Sequence, residues 1–491
     1  MALVAVGSGW YQAWAVPAYL NADEQAHVGY VLTLLDGHLP TVDQPIPVER
    51  GGPLLAQRVA RTRRRHGEVW VANNPPVGYL PFLVPALLAR AAGSPSAPLL
   101  GLRLTSVALF GAAAVMTARL GRRLAGGCEA VGLLSAALLA ILPHTGTIAG
   151  AAYLDSVALL CAVGLLDSLV SVSVSGPTRR TVAAVSAWCA VSAGIRPMSA
   201  ALAGAAAAFV LVVAVTRSLL DRRSEVSGDP CRPPVLWCAA VLSVPAVLLD
   251  GWFYLRNLHR YGDVTGSTYL NAKFGLPTGR SVADVLHEHI WAEPVRTLLN
   301  RRAPQIVPGP PLWLWSATRW AMVIALISTV ALVIADQLDA RRRRTAPRTS
   351  GLAWTGAIGI AALTVALAAA HWVSGGMIHP RYLFPALVVG TVAVMVPLHR
   401  LRLWWLGLAV VLGAGILQRH ESPPMAYYRN RAGAAASALA DPPGSLLVRS
   451  IGPAVVLIGL LGLCVALTWM RPSRADEPAT ASVAGRAAAA D

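Results

Sequence analysis

Apolar runs long enough to cross a hydrocarbon core recur near residues 2–19, 102–118, 129–147, 153–171, 181–195, 198–216, 235–254, 318–335, 352–373, 382–397, 403–418 and 450–470. Their spacing predicts an all-α, polytopic membrane protein with about twelve spans. Three hydrophilic stretches separate them, at 20–101, 255–317 and 419–449. The first holds more than linker. Asn21-Ala22-Asp23-Glu24 has the spacing of a capping box, which predicts a helix running to Gly37 with Asp23 and His27 on one face. A second helix is expected at Leu54 to Arg65, where Arg58, Arg61 and Arg63 to Arg65 cluster, and the Pro-rich apolar stretch 77–92 is read as juxtamembrane. In the second stretch an interfacial helix is expected near Ser281 to Asn300. Residues 1–470 are read as one membrane-embedded domain, and the Ala-rich tail 471–491 as disordered and cytoplasmic.

Composition strengthens the membrane reading. With 55% hydrophobic and 13% charged residues, and a mean hydropathy of +0.55, the 491-residue chain carries more apolar surface than one water-soluble core buries. The net charge of +17 sits in short Arg clusters between the runs, so it is topological and gives no nucleic-acid partner. With the N-terminus inside, the clusters at Arg119/Arg122/Arg123, Arg179/Arg180, Arg217/Arg222/Arg223, Arg341 to Arg344 and Arg400/Arg402 all face the cytoplasm. The three hydrophilic stretches then face outward from the inner or plasma membrane. None of the six cysteines falls in them, so no disulfide framework is readable. Without a basic leader, the first run is read as an uncleaved span.

Asp23 and Glu24 stand at the outer exit of that span, where a carboxylate is costly unless water, a substrate or a cation receives it. This pair, with Asp23-Glu24-Gln25-Ala26-His27, Asn74-Pro75-Pro76-Val77-Gly78-Tyr79, the Asp155 region, Arg256 to Gly262 and His379-Pro380-Arg381-Tyr382-Leu383-Phe384-Pro385, resembles the GT-C superfamily of polyprenyl-phosphate-sugar glycosyltransferases. Within it the chain looks most like the branch of protein O-mannosyltransferases and lipid A aminoarabinose transferases. The resemblance implies a GT-C-like fold and transfer of a sugar, mannose or a pentose by analogy, from a polyprenyl-phosphate donor in the membrane. The extracytoplasmic acceptor would be a protein, a glycan, a lipid or a natural product.

In that chemistry Asp23 matches the catalytic base. One carboxylate suffices, because a phosphodiester leaving group departs without a proton, whereas a glycosidase must protonate its alkoxide. Glu24 is a weaker second candidate, since its capping position explains it already. Arg256, His259, Arg260, Lys273, Arg381 and Tyr382 are the expected donor-phosphate contacts; the competing role for the cations is snorkelling to lipid headgroups. His27, Asn74, Tyr79 and Asp155 are placed on the substrate side, with capping the competing role for Asp155 and packing for His27. The aminoarabinose branch has a lysine where this chain has Asn74, a departure at a phosphate contact. Trp291, Trp313 and Trp315 are read as interfacial anchors. No cofactor is expected and no metal-ligand motif is present; a divalent ion would need Asp23, Glu24, His27 and His379 to converge. Two rival classes fit the span count: a secondary transporter, echoed by Ala118-Arg119-Leu120-Gly121-Arg122-Arg123, and a non-catalytic export or scaffold component. The glycosyltransferase reading requires Asp23 and Arg381, far apart in the chain, to face one hollow.

Overall fold

The computed structural model describes residues 1–19, 21, 23–48, 55–60, 67–93, 97–223, 233–276, 279–286, 312–343, 350–376, 379–421 and 446–469. Among them the elements are helical, with one isolated β-bridge between Pro45 and Glu68. In chain order the helices are α1 (Ala2–Ala15), α2 (Glu24–Leu35), α3 (Leu80–Ala91), α4 (Ala97–Leu124), α5 (Glu129–Ile141), α6 (Pro143–Ala149), α7 (Asp155–Ser175), α8 (Arg179–Ala193) and α9 (Pro197–Arg223). They continue with α10 (Val235–Ala246), a π-helical turn at Val247–Gly251, α11 (Trp252–Tyr261), α12 (Ser267–Phe274), α13 (Leu312–Arg343), α14 (Gly351–Val373), α15 (Phe384–Arg400), α16 (Trp404–Glu421) and α17 (Leu446–Trp469).

Every apolar run of the sequence falls on a helix. Among the described residues, however, eight segments rather than about twelve are long and apolar enough to cross a membrane. The runs at 2–19, 129–147, 181–195 and 403–418 lie on helices that miss that measure. Prolines and glycines explain much of this. α1 stops at Val16 before Pro17, α5 stops at Leu142 and α6 restarts at Pro143, and α8 ends at Gly194 three residues before Pro197 opens α9. The stretch read as juxtamembrane is a short apolar helical segment, Pro76–Ala91. Of the helix expected at 54–65, residues 55–60 are helical. Of the interfacial helix, Val282–Asp284 is described. The remainder of both, the arginines at 61 and 63–65, Trp291, the side chains of Trp313 and Trp315, and the tail lie outside the described residues.

The helices run back and forth, so their ends form two layers of opposite character. At one end lie the basic clusters. There Arg123 donates to the Asp167 carboxylate at 2.7 Å and Trp354 Nε1 to the Leu124 carbonyl at 2.9 Å, tying α4 to α7 and α14. At the other end the C-terminus of α1, the N-termini of α4, α7, α9 and α15, and the described parts of the first two hydrophilic stretches converge. A large apolar core, including Phe110, Leu139, Val163, Trp354 and Val392, fills the bundle, and a second, including Tyr19, Tyr30, Tyr79, Phe82 and Tyr261, lies under the first hydrophilic stretch.

The terminal helix α17 packs antiparallel along α1. Backbone meets backbone there: a Cβ on Gly452 would lie 2.6 Å from the Gly7 carbonyl oxygen, and one on Gly459 would lie 2.7 Å from a Val4 methyl. Trp10 Nε1 closes the contact on the Val448 carbonyl at 3.0 Å. Gly452→Leu should therefore lower the melting temperature of the detergent-solubilised protein, by an overpacking cost of about 1–3 kcal/mol. Gly462→Leu, whose Cβ meets nothing within 4 Å, should leave it unchanged in the same melting assay.

Candidate active site

The polar end is organised by Arg103, in the second turn of α4. Its Nε and Nη2 donate to Glu24 Oε1 and Oε2, both at 2.8 Å, while Nη1 donates to the carbonyls of Ala13 and Val16 at 2.9 and 2.6 Å and Nη2 to that of Pro17 at 3.1 Å. All of its N–H groups are used, on a carboxylate and on carbonyls that the end of α1 leaves without helical partners. Glu24 Oε1 also accepts from Asn21 Nδ2 at 3.2 Å and from the Ala152 amide at 3.1 Å. Both charged side chains are fully buried. The capping-box reading is corrected here: the N-cap of α2 is Asp23, and Glu24 reaches Arg103 instead of the helix entrance. Glu24 is an anchor with both oxygens committed, so it is not placed to serve as a second base.

Held by that anchor, Asp23 adopts a left-handed backbone, φ +72°, unusual for a residue with a Cβ though tolerated by Asp. Its carbonyl receives the amides of Ala26 and His27, starting α2. Its side chain makes no cap; it turns to Arg381, whose Nη2 lies 3.3 Å from Asp23 Oδ2 across 358 residues of sequence. Arg381 comes from the 3₁₀ turn Pro380–Leu383, whose entrance His379 caps by accepting the Arg381 amide at 3.3 Å. Arg381 Nη1 also lies 3.7 Å from Asp155 Oδ2, and Asp155 Oδ1 receives Arg196 Nη1 at 2.7 Å. The result is an alternating chain, Asp23, Arg381, Asp155, Arg196, largely shielded from water. The Nε–H groups of Arg196 and Arg381 are both buried without an acceptor. Tyr382 lies between the two guanidiniums, 5.6 Å from Arg196 and 5.7 Å from Arg381, and Tyr153 lies 5.5 Å from Arg381.

An aromatic shelf supports this chain. His27 Nδ1 and Tyr79 Oη share a hydrogen bond of 2.9 Å, Tyr79 stacks on Tyr30 at 3.8 Å between ring centres, and Tyr30 Oη donates to the Asn74 carbonyl at 2.9 Å. Burial, followed by the Arg381 charge, pushes the His27 imidazole down to about 3, so it is a neutral hydrogen-bonding partner at physiological pH.

The other expected phosphate contacts lie elsewhere. Lys273 bridges two carboxylates, Asp43 at 2.5 Å and Glu68 at 2.9 Å, and Tyr269 Oη also donates to Asp43 at 2.8 Å. Its charge is committed to joining the two hydrophilic stretches. Although partial burial opposes it, those carboxylates hold the Lys273 amine above its ordinary range. Arg256 donates to the Pro40 carbonyl at 2.6 Å, and His259 and Arg260 are exposed on α11. Asn257, Asn73 and Tyr261 complete this join, with Asn257 Nδ2 on the Asn73 carbonyl, Asn73 Nδ2 on the Thr265 carbonyl and the Val42 amide on Tyr261 Oη. Among the described residues no group of three or more His, Cys, Asp and Glu could hold a metal ion.

Arg103 and Arg196 were not singled out by sequence reasoning, yet the signal was present. Both are lone arginines beside apolar runs at the end opposite the basic clusters, where positive-inside bias leaves arginine without a topological reason.

No protein-family model matches the chain. No curated protein matches it either. Among solved structures it is similar to the Archaeoglobus fulgidus oligosaccharyltransferase in complex with Zn and sulfate (13% identity, TM-score 0.45), covering 86% of this chain and 53% of that one. It is similar also to the same organism's oligosaccharyltransferase tethered by a disulfide to an acceptor peptide containing the NVT sequon (12% identity, TM-score 0.35), covering 91% of this chain and 55% of that one. The chain thus spans about half the length of these structures. Likeness at that level carries no argument here.

Arg103→Leu should cost about 3–5 kcal/mol, because it leaves a buried carboxylate uncompensated. Replacing both partners together, Arg103→Leu with Glu24→Leu, should recover part of that loss in thermal or denaturant unfolding. His27 supplies a pH signature. Its folded-state value lies near 3 and its ordinary value is 6.5, so its contribution to stability is complete above pH 6.5 and declines as pH falls from there toward about 3. His27→Gln should flatten the acid slope of the melting temperature across that window.

Proposed function

We propose that this chain is a GT-C-type membrane glycosyltransferase. It moves a sugar from a polyprenyl-phosphate donor to an acceptor outside the cytoplasm, with Asp23 as general base and Arg381 and Arg196 binding the donor phosphate. The observation that carries this reading is the meeting of Asp23 with Arg381 at 3.3 Å, beside a second arginine, at the end of the bundle away from the basic clusters.

The chemistry follows from the charge chain. A donor phosphodiester brings a negative charge toward two guanidiniums that each retain a buried, unpartnered Nε–H. As Arg381 turns to the phosphate, its hold on Asp23 weakens. A carboxylate that loses a cationic neighbour becomes more basic, so donor binding itself arms the base. Asp23 then takes the acceptor hydroxyl proton as the acceptor oxygen bonds to the anomeric carbon on the face opposite the phosphate. The carbon–oxygen bond to phosphate breaks, its electron pair leaves with the polyprenyl phosphate, and configuration inverts. Asp155 keeps both arginines in place. His27 and Tyr79, joined by a 2.9 Å hydrogen bond, form the neutral wall beside Asp23.

The location of the charges also weighs against a carrier. Transporter sites lie near the bilayer midplane, whereas these residues come from helix ends and the turns between them. Sugar identity, mannose or a pentose, rests on the sequence resemblance alone.

The decisive assay incubates purified protein with a panel of polyprenyl-phosphate sugars, reading both polyprenyl phosphate release and sugar transfer. Asp23→Asn should lower transfer by ~10²- to 10⁴-fold while donor binding changes little. Arg381→Gln and Arg196→Gln should weaken donor binding itself. Wild-type transfer by Asp23→Asn, or no release from any donor by the parent protein, would overturn the assignment.

A further inference from the structure

A cleft of about 410 Å³ separates α13 from α14 at the basic end of the bundle, far from Asp23. Val333 and Ile334 of α13 and Trp354 and Ile358 of α14 supply its apolar walls, and Gln337 and Arg341 line its basic end. The α13 residues follow helical spacing, so they form one face. The two walls are secured to different neighbours: Thr329 Oγ1 donates to the Ala393 carbonyl on α15 at 2.6 Å, and the Trp354 indole is tied to Leu124 on α4. Each helix therefore has a reason to stay where it is, and the gap between them persists.

Length and charge identify what fits. Along α13 the lining runs from Val330 to Arg341, about 16 Å at 1.5 Å per residue, close to half of a hydrocarbon core of about 30 Å. The apolar trough thus matches the acyl region of one leaflet. At its mouth, Arg341 and the start of α14 both line the cleft, Gly351 faces the Gln337 amide, and the helix presents its positive end. Arg343 pairs with Asp339 at 2.9 Å, whereas Arg341 lines the cleft. We propose that this cleft is a binding site for one anionic phospholipid of the leaflet at the basic end. One acyl chain lies between α13 and α14, and the phosphate sits at Arg341 with the Gln337 amide beside it. The site is separate from the donor site and stands whether or not the chain transfers sugar.

Native mass spectrometry of the full chain in detergent, titrated with phosphatidylglycerol and with phosphatidylcholine of the same acyl composition, tests this. One phosphatidylglycerol should bind more tightly than phosphatidylcholine, by about five-fold for a single basic contact. Arg341→Gln should erase that preference while retaining phosphatidylcholine binding, Arg342→Gln should leave it intact, and Ile334→Trp should reduce retention of both lipids by filling the trough. Equal affinity for the two headgroups in the parent protein would overturn the proposal. So would an unchanged preference in Arg341→Gln, undiminished retention in Ile334→Trp, or a dimer whose dissociation is required before lipid binds.

Discussion

Arg103 and Glu24 are both fully buried, and two charges removed from water at a cost of several kcal/mol each persist only when their donors and lone pairs are met. Here they are, and the partners they recruit explain the rest of the polar end. Three carbonyls come from the exit of α1, one amide from the turn before α7, and the carboxylate from the start of α2. One ion pair thereby fixes the relative position of four chain segments. It also fixes the residue next to Glu24. With its neighbour anchored and α2 beginning directly after it, Asp23 is held in a left-handed conformation that an unconstrained aspartate seldom occupies, and its side chain projects away from the helix it starts.

From Asp23 outward the logic changes from anchoring to balance. The carboxylates of Asp23 and Asp155 alternate with the guanidiniums of Arg381 and Arg196, so the cluster is neutral as a whole although each member is charged. Its closest contact, 2.7 Å between Arg196 and Asp155, involves the most deeply buried carboxylate; its longer ones, 3.3 and 3.7 Å, belong to Arg381. Arg381 is thus the more loosely held member, as the proposed exchange of a carboxylate for a phosphate requires, and Asp155 with Arg196 is the tighter pair. The cation–π contacts with Tyr153 and Tyr382 let the arginines keep favourable surroundings during such an exchange.

How much of this was legible in the sequence depends on which physical signal each residue emits. Hydrophobic runs are additive over many positions, so every helix crossing the bundle was located, although Pro17, Pro143 and Gly194 shortened several below spanning length. Asp23 and Arg381 were singled out because each stands beside an apolar run inside a motif that resembles the GT-C superfamily. Their contact was not legible, since 358 residues separate them and no periodicity couples α2 to the turn before α15. Lys273 and Arg256 carried the same local signal as Arg381. What distinguishes them is the presence of Asp43, Glu68 and the Pro40 carbonyl nearby, which only the folded chain supplies. Glu24 misled for a different reason: the capping-box spacing is real, but a buried guanidinium, being charged, outcompetes a neutral backbone amide for a carboxylate.

The two ends of the bundle use the same residue type for opposite purposes, and the contrast tells function from topology. At the basic end arginines are numerous and mostly near the surface, as at Arg119, Arg122 and Arg343, where side-chain exposure runs from 45% to 73%. Such groups interact with water and headgroups as much as with their partners, so their ion pairs add little to stability. At the other end Arg103, Arg196 and Arg381 stand apart, because their side chains are exposed by no more than 13%. Desolvation makes each of these costly to keep, and topology gives no reason to keep it. Arg103 is accounted for by the carbonyls and carboxylate it binds. For Arg196 and Arg381 the protein partners leave an N–H on each without an acceptor. In the proposed function a ligand oxygen carrying negative charge completes them, and Asp23 is the carboxylate already in contact with one of the two.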